Sequence, residues 1–271
     1  MRPLKPKLIL VVSVLAALLT GAFTCRADDA PAATPPPADK DVVKDWNGSV
    51  ALGLSMTKGN SKTLTANGAF DISKLWKSDE WHFGADGQYG INNFGAKTQE
   101  VVNANNIHGL VDYKHLFTER FFGDVRGDAW HDDVADLQNR EIIGPALGYF
   151  FIKSGASRLS GDIGASFEHQ RQGSGTNFNE SSFITMHVGE HGEHNWGKQA
   201  KVWEDVQYLP KIDDFQTYLL ISEAGVEAAL NSQFSLRIVL QDRYNSVPAK
   251  GRVPNDLALL ASLVYKFGPA K

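Results

Sequence analysis

Alternation of apolar and polar residues over most of the chain is the feature that most constrains its fold. From Trp46 onward, apolar side chains recur at every second position within short segments, which are separated by clusters of Gly, Asn, Asp, Ser or Lys. Successive side chains of a β-strand point to opposite faces, so a period of two predicts strands. Residues 46–267 divide in this way into about 12 strands, each with one apolar face.

The N-terminal segment predicts export from the cytoplasm. Basic residues at its start precede an uncharged apolar stretch, residues 8–23, and Cys25-Arg26-Ala27 places small residues before Asp28. This pattern is that of a cleaved signal peptide over residues 1–27. The apolar stretch is shorter than the roughly 18 residues that a membrane-spanning helix needs, and no later stretch approaches that length. We therefore expect no helical membrane protein.

Charge and cysteine content narrow the functional class. Four of the 27 basic residues and none of the 31 acidic residues lie in the predicted signal peptide, so the mature chain is acidic. An acidic chain without a basic stripe argues against nucleic acid as a partner. The single cysteine, Cys25, leaves with the signal peptide, which removes disulfides and thiol chemistry. Acylation of Cys25 is the disfavoured alternative.

Residues 28–45, rich in Pro and Ala, predict a disordered lead.

The apolar strand faces fit either the core of a soluble β-sandwich or the lipid-facing surface of a membrane barrel. Aromatic placement favours the barrel, because these faces set aromatic residues beside short turns, as in the interfacial belt of outer-membrane barrels. The residues in question are Trp76, Trp81, Phe117, Phe121, Phe151 and Phe234. We predict an all-β fold, an antiparallel transmembrane β-barrel of about 12 strands over residues 46–267, followed by a short tail, residues 268–271.

Connection lengths support the same prediction, since short and long connections alternate along the chain. The long ones are expected at 92–99, 132–138, 170–181 and 247–255, and the short one after the first strand is an exception.

Pro145 interrupts a predicted strand at a position where a backbone N–H is needed to donate to the neighbouring strand. A β-bulge would accommodate the proline.

Three stretches of the chain carry a family resemblance. They are Gly53–Ser73 (GLSMTKGNSKTLTANGAFDIS), Tyr208-Leu209-Pro210, and the closing Leu263–Phe267 (LVYKF). On these residues the chain resembles the salt-stress-induced outer-membrane protein family, catalogued as domain of unknown function 481, over about residues 46–267. The resemblance implies an outer-membrane β-barrel, and it brings no known reaction, cofactor or catalytic residue.

Charged residues collect on the polar faces of the strands and are candidates for the barrel interior. They would either line a pore or pair with one another and hold a narrow lumen shut, and we favour pairing. An antiparallel hairpin across residues 132–138 is expected to place Arg140 opposite Asp128. The predicted lumen network comprises Asp124, Arg126, Asp128, Arg140, Glu223, Glu227, Arg237 and Arg243.

Two further groups of residues hint at site chemistry and are disfavoured. His187, His191 and His194 suggest a metal site, but in a strand residues four apart lie roughly 13 Å from one another, too far for one ion. Glu168-His169 near Ser174 suggests a lipid hydrolase. Neighbouring strand residues point to opposite faces, however, and Ser174 lies in a Gly-rich loop. We predict no catalytic, metal or cofactor site.

Together these features predict a non-enzymatic barrel in a bacterial outer membrane. We expect it to serve envelope integrity or small-solute passage, with the link to osmotic or salt stress that the resemblance implies. Its expected partners are outer-membrane lipid and, during biogenesis, the barrel-assembly machinery. A soluble periplasmic β-sandwich that binds a ligand is the alternative, and an outer-membrane lipid hydrolase is a weaker one.

Overall fold

A closed barrel of antiparallel strands forms in the computed structural model, which describes residues 46–58, 62–93, 95, 99–173 and 178–268. Each strand pairs with its neighbours in the chain, and the last pairs with the first. The strands are β1 Asn47–Thr57, β2 Thr63–Trp76, β3 Asp79–Asn92, β4 Val101–Leu116, β5 Phe121–Asp132, β6 Leu137–Lys153, β7 Ser157–Gln172, β8 Asn179–Trp196, β9 Ala200–Lys211, β10 Asp214–Ala229, β11 Phe234–Asn245 and β12 Asn255–Phe267.

This architecture confirms the predicted fold class and shows that the alternative β-sandwich is wrong. Closure of β12 onto β1 leaves no free sheet edge, which is the arrangement that lets strands cross a membrane. No helix of the described residues is long and apolar enough to span a bilayer. The predicted signal peptide, the Pro-rich lead and residues 269–271 lie outside the described residues.

The apolar strand faces point out of the barrel. Leu54 and Leu259 are 75% and 72% exposed, whereas Thr185 and Ser235, at inward positions, are fully buried. Apolar side chains are exposed in the same way around the whole barrel, so the outer surface is far more apolar than that of a soluble monomer. Such a surface is stable in contact with lipid, where its exposure carries no hydrophobic penalty.

Aromatic side chains ring one end of the barrel. All six predicted belt residues are exposed on the outer surface, and Trp81 contacts Tyr113 at 4.8 Å between ring centroids. Phe234 contacts Tyr265 at 5.3 Å in the same ring. Asn47 and Phe267 lie at this end too, because β1 and β12 are antiparallel neighbours. Amphipathic aromatic rings at a strand terminus are typical of the membrane–water interface.

The two ends of the barrel differ in their connections. The end that holds Asn47 and Phe267, called the turn end below, has short turns at 77–78, 117–120, 154–156, 197–199 and 230–233. The opposite end, called the loop end, has its connections at 58–62, 93–100, 133–136, 173–178, 212–213 and 246–254. The predicted long loops 132–138 and 170–181 are shorter in the structure, because β5, β6, β7 and β8 extend into them.

No bulge accompanies Pro145, contrary to the prediction. Ile143 pairs with Phe167 and Ala146 with Gly164, so the register between β6 and β7 is the same on both sides of the proline. The register shifts of this strand pair lie elsewhere, between Leu137 and Asn139 and between Phe150 and Ile152. Pro145 is outward-facing, and the ladder tolerates its missing N–H because the flanking pairs hold the strands together.

Gly164 lets β7 approach β6 beside this proline, and its substitution is expected to destabilise the barrel. A Cβ at Gly164 would contact the carbonyl oxygen of Pro145 and lie 2.7 Å from the Ala146 Cα, both backbone atoms. Gly164→Ala should therefore cost about 1–3 kcal/mol in free energy of unfolding. The measurement is the urea unfolding midpoint in detergent micelles.

Gly109→Ala on β4 is the matched control, because no atom lies within 4 Å of a Cβ added there. It should leave the midpoint near that of the unmodified protein. Equal losses for the two variants would contradict the close approach of β6 and β7.

Candidate functional site

The barrel interior is the candidate site, because alternate strand positions direct most of the charged side chains there. All eight residues of the predicted lumen network are buried or half-buried. Their neighbours differ, however, so the structure divides them into a middle group on β5, a turn-end group on β10 and β11, and two arginines near the loop end.

Asp128 is the centre of the middle group. Arg126 donates to it twice, from Nε at 2.8 Å and from a terminal nitrogen at 3.0 Å. His108 Nε2 lies 3.0 Å from Asp128, while His108 Nδ1 lies 2.9 Å from Asp86. The result is a continuous chain of charged and polar groups over β3, β4 and β5. Asp124 lies two inward positions nearer the turn end than Asp128, and one of its carboxylate oxygens is buried without a partner among the described residues.

Arg126 also reaches across the lumen. With the Gln207 amide oriented so that its oxygen faces the guanidinium, both terminal nitrogens of Arg126 donate to that oxygen at 3.0 Å. Gln207 lies on β9, four strands away from β5 around the barrel wall. This contact therefore joins two parts of the wall that lie a third of the way around the barrel from each other, and it narrows the interior at mid-height.

Arg140 does not face Asp128, so that pairing prediction is wrong. Arg140 lies opposite Trp130, and its Nε is 3.0 Å from Glu168 Oε1 on β7. A terminal nitrogen of the same guanidinium donates to Gln170 at 2.7 Å. The β5–β6 register is set by the short 133–136 connection and by an irregularity after Trp130. As a result, each β5 residue up to Trp130 pairs with the β6 residue two positions beyond the one that the predicted hairpin would place opposite it.

Glu227 anchors the turn-end group. Arg237 Nε donates to its Oε2 at 2.8 Å, Ser235 donates to its Oε1 at 2.8 Å, and Lys266 pairs with the same Oε1. Arg237 also lies 3.6 Å from Asp71 on β2, so it reaches past β12 and β1. Glu223, two inward positions farther from the turn end than Glu227, accepts hydrogen bonds from its neighbours Trp203, at 2.8 Å, and Gln241, at 3.1 Å.

An apolar cluster inside the barrel is the main feature that sequence reasoning missed. It joins β5 and β6 to β9 and β10 through side chains that are almost fully buried. We call this cluster the apolar plug: Trp130, Leu137, Ile142, Leu209 and Leu219, with Ala135 and Ile221 packed against it. The ring of His108 stacks on Trp130 at 4.6 Å between centroids, and the Arg243 guanidinium lies 6.0 Å from the same indole.

The sequence contains one signal of the plug. Leu219 and Ile221 break the alternation at the start of β10, where they share the inward face with Glu223. More generally, the signal is an apolar residue at a strand position where the alternation predicts a polar, inward-facing residue. Trp130 on β5 also has it, between the inward residues Asp128 and Asp132.

Two cavities lie on opposite sides of the apolar plug. The inner cavity is lined by Asp124, Arg126, Asp128, Ile142, Gly144, Ala146, Ser166, His187, Gln207 and Leu209. The mouth cavity at the loop end is lined by Ala135, Leu137, Arg140, Gln172, Arg243, Asn245, Pro248, Ala249, Arg252, Val253 and Asp256. Plug residues contribute to both linings, so the plug is the partition between the two cavities.

Aromatic side chains also fill the wall of the lumen near the turn end. Phe122 and Phe150 are buried at inward positions, with ring centroids 4.9 Å apart. Lys114 Nζ lies 4.7 Å from the Phe122 ring. A side chain at Gly148 would occupy the space of this ring, so the glycine makes the aromatic packing possible.

The three histidines considered for metal binding separate in the structure. His187 pairs with Asp162 and His191 with Asp205, each at 2.7 Å inside the barrel. His194 faces outward, 2.8 Å from the Ser157 hydroxyl. In the part of the chain that the structure describes, no group of three His, Cys, Asp or Glu residues has the geometry of a metal site.

The residues considered for lipid hydrolysis also point in different directions. Glu168 lies inside the barrel against Arg140, whereas the His169 ring faces outward, 2.8 Å from the Ser182 hydroxyl. Ser174, the hydroxyl considered in the sequence, lies outside the described residues.

Solved barrel structures show distant similarity to this chain. A NanC porin structure aligns with a TM-score of 0.45 at 9% identity, covering 81% of this chain and 96% of the porin. The translocator domain of the autotransporter NalP from Neisseria meningitidis aligns at 0.41 and 9%, covering 82% and 87%. The CymD monoaromatic hydrocarbon channel aligns at 0.40 and 8%, covering 86% and 90%. A search of curated proteins found no significant match.

A family profile described as "Protein of unknown function, DUF481" matches residues 50–267. The match extends from β1 to the end of β12 and thus includes the whole barrel. Its description contains no reference to salt stress. Because the profile covers most of the sequence, the chain belongs to the DUF481 family of proteins of unknown function.

Proposed function

We propose that this protein is an outer-membrane β-barrel that passes small solutes when its apolar plug is displaced and is closed when the plug is in place. The membrane location rests on three features of the barrel: closure of all strand edges, the apolar outer surface and the aromatic ring at the turn end. Bacterial barrels of this kind reside in the outer membrane, with lipid around the strands.

The apolar plug between the two cavities is the observation that carries the proposed passage. Charged side chains in the cavities on both sides can bind water, whereas the plug offers water no hydrogen-bond partner except the indole N–H of Trp130. Hydrophobic constrictions close pores by excluding water, and they open with a modest side-chain movement because no hydrogen bond has to break. The plug is thus a barrier that movement of Trp130 and its neighbours would lower.

Envelope integrity is the second candidate function, and contacts across the interior favour it. Arg126 reaches Gln207 across the lumen, and Asn67 donates to Ser262 at 2.7 Å past β1. Such contacts brace the wall against deformation. A role under osmotic or salt stress would follow from this bracing, and survival of gene-deleted cells after a salt shift would test it.

Conductance in a planar bilayer tests the proposed closed state. The refolded protein should stay near the baseline for most of the recording, with brief openings, because the plug and the Arg126–Gln207 contact obstruct the lumen. A steady open conductance typical of a porin would refute a closed resting state. Complete silence, also in a variant without the plug, would favour the purely structural role.

Membrane fractionation and gel mobility test the location. The protein should fractionate with outer membranes and migrate differently in boiled and unboiled samples, since a closed barrel resists detergent until it is heated. Recovery as a soluble periplasmic monomer without a mobility shift would contradict the proposal. The absence of enzyme activity is also part of the proposal, and an altered lipid acyl pattern in gene-deleted cells would count against it.

A further inference from the structure

The mouth cavity combines an excess of guanidinium groups with an apolar wall. Arg140, Arg243 and Arg252 all line it, against a single lining carboxylate, Asp256. The 246–254 connection lies over this cavity from the side of β11 and β12, while Leu137 and Gln172 lie on the opposite side. The cavity is therefore enclosed by loop and wall at the loop end, above the apolar plug.

The three arginines differ in how far their charge is compensated. Arg140 forms an ion pair with Glu168 and donates a hydrogen bond to Gln170. Arg243 has no hydrogen bond and no ion pair within the described ranges, and its Nε is buried. Asp256 lies directly opposite Arg243 in the β11–β12 register, yet the two side chains form no ion pair. The side chain of Arg252, on the loop, also contacts no carboxylate among the residues described.

A buried guanidinium nitrogen without a partner is uncommon in folded proteins, because the unmade hydrogen bond costs free energy. The terminal nitrogens of Arg243 are not fully buried, so a ligand in the cavity that accepts hydrogen bonds from them would give this guanidinium the partner it lacks. Guanidinium groups match the planar geometry of a carboxylate and can bind it through two parallel hydrogen bonds. The unpartnered Arg243, with Arg252 nearby, therefore presents a site for a carboxylate.

We propose that the mouth cavity binds a small monocarboxylate with a short apolar chain. Its carboxylate would contact Arg243 and Arg252, and its chain would lie against Leu137 and Val253. A single negative charge suits the site because Asp256 would repel a second one. This site does not depend on the proposed passage, since a barrel that never conducts could still bind at its mouth.

Calorimetric titration of the refolded barrel in zwitterionic detergent with butyrate tests the site. Butyrate should bind saturably, whereas butylamine, which has the same chain and the opposite charge, should not bind. Inorganic phosphate should bind more weakly than butyrate. If phosphate bound as well as butyrate, the assignment of an apolar-chain carboxylate would be wrong.

Variants of the arginines that line the mouth cavity test whether butyrate binds there. Arg243→Met should weaken butyrate binding about tenfold or more, and Arg243→Lys should keep part of it, because a lysine retains the charge and loses the paired geometry. Arg252→Met, in an exposed loop position, should weaken it several-fold without affecting folding. Arg158→Met is the matched control, since Arg158 is also exposed but lies at the turn end.

Gel mobility of unboiled samples shows whether each variant has folded. Should Arg243→Met fail to fold, Arg252→Met and Arg243→Lys decide the question. The proposal is overturned if the unmodified barrel shows no saturable butyrate binding, or if the folded mouth variants bind as tightly as Arg158→Met. Neither outcome changes the expected conductance, so the binding proposal and the proposed solute passage can be refuted independently of each other.

Discussion

Replacing Trp130 with alanine is expected to destabilise the barrel by about 3–5 kcal/mol and to raise its conductance. Trp130 is only 6% exposed and packs against Ile142, Leu209 and Leu219, so its removal leaves a cavity at the centre of the plug. That cavity would connect the inner cavity with the mouth cavity. Water could then fill the lumen across the former partition.

Two measurements on the same preparation check this expectation. Urea unfolding in detergent micelles gives the loss of stability, and planar-bilayer recordings give the frequency and size of openings. Trp196→Ala is the matched control, because Trp196 is 46% exposed at the outer rim of the turn end. It should leave conductance unchanged. If Trp130→Ala were as silent in the bilayer as the unmodified barrel, the apolar plug would not be the barrier.

Replacing Glu168 with alanine is the second change with a large expected effect, a loss of about 3–5 kcal/mol. Arg140 and Glu168 are each only 4% exposed in their side chains, and they form an ion pair at 3.0 Å. Removal of the carboxylate leaves the Arg140 charge buried, with only the Gln170 oxygen as a hydrogen-bonding partner. An uncompensated buried charge is among the most costly defects in a folded interior.

A double variant separates the cost of the unpaired charge from the value of the pair. Arg140→Met with Glu168→Leu should recover most of the stability lost in Glu168→Ala, since apolar residues of similar volume can replace a buried pair. Asp213→Ala is the control, because Asp213 is 73% exposed and its 3.3 Å pair with Lys211 should contribute within about 0.5 kcal/mol. A double variant no more stable than Glu168→Ala would show that the unpaired Arg140 charge is not the cause.

Strand number, strand facing and the aromatic ring could be predicted from the sequence, because each depends on residues close together in the chain. The alternation that places Leu52 and Leu54 on one face of β1 is local, and so is the placement of Trp76 and Trp81 beside one turn. The eight charged candidates could be assigned to the interior for the same reason. Sequence reasoning failed where the β5–β6 register decided the partner, as it did for Arg140.

The contents of the lumen were decided by the tertiary structure alone. Arg126 meets Gln207, and Trp130 meets Leu209, only because β5 and β9 come to face each other across the interior when twelve strands close. Which strands face each other depends on strand number, tilt and stagger, which are properties of the closed barrel and not of any segment. Local residue patterns thus suffice to predict a barrel with a lipid-facing exterior and a charged interior. The plug, the two cavities and the unpartnered Arg243 arise from distances that exist only after β12 has paired with β1.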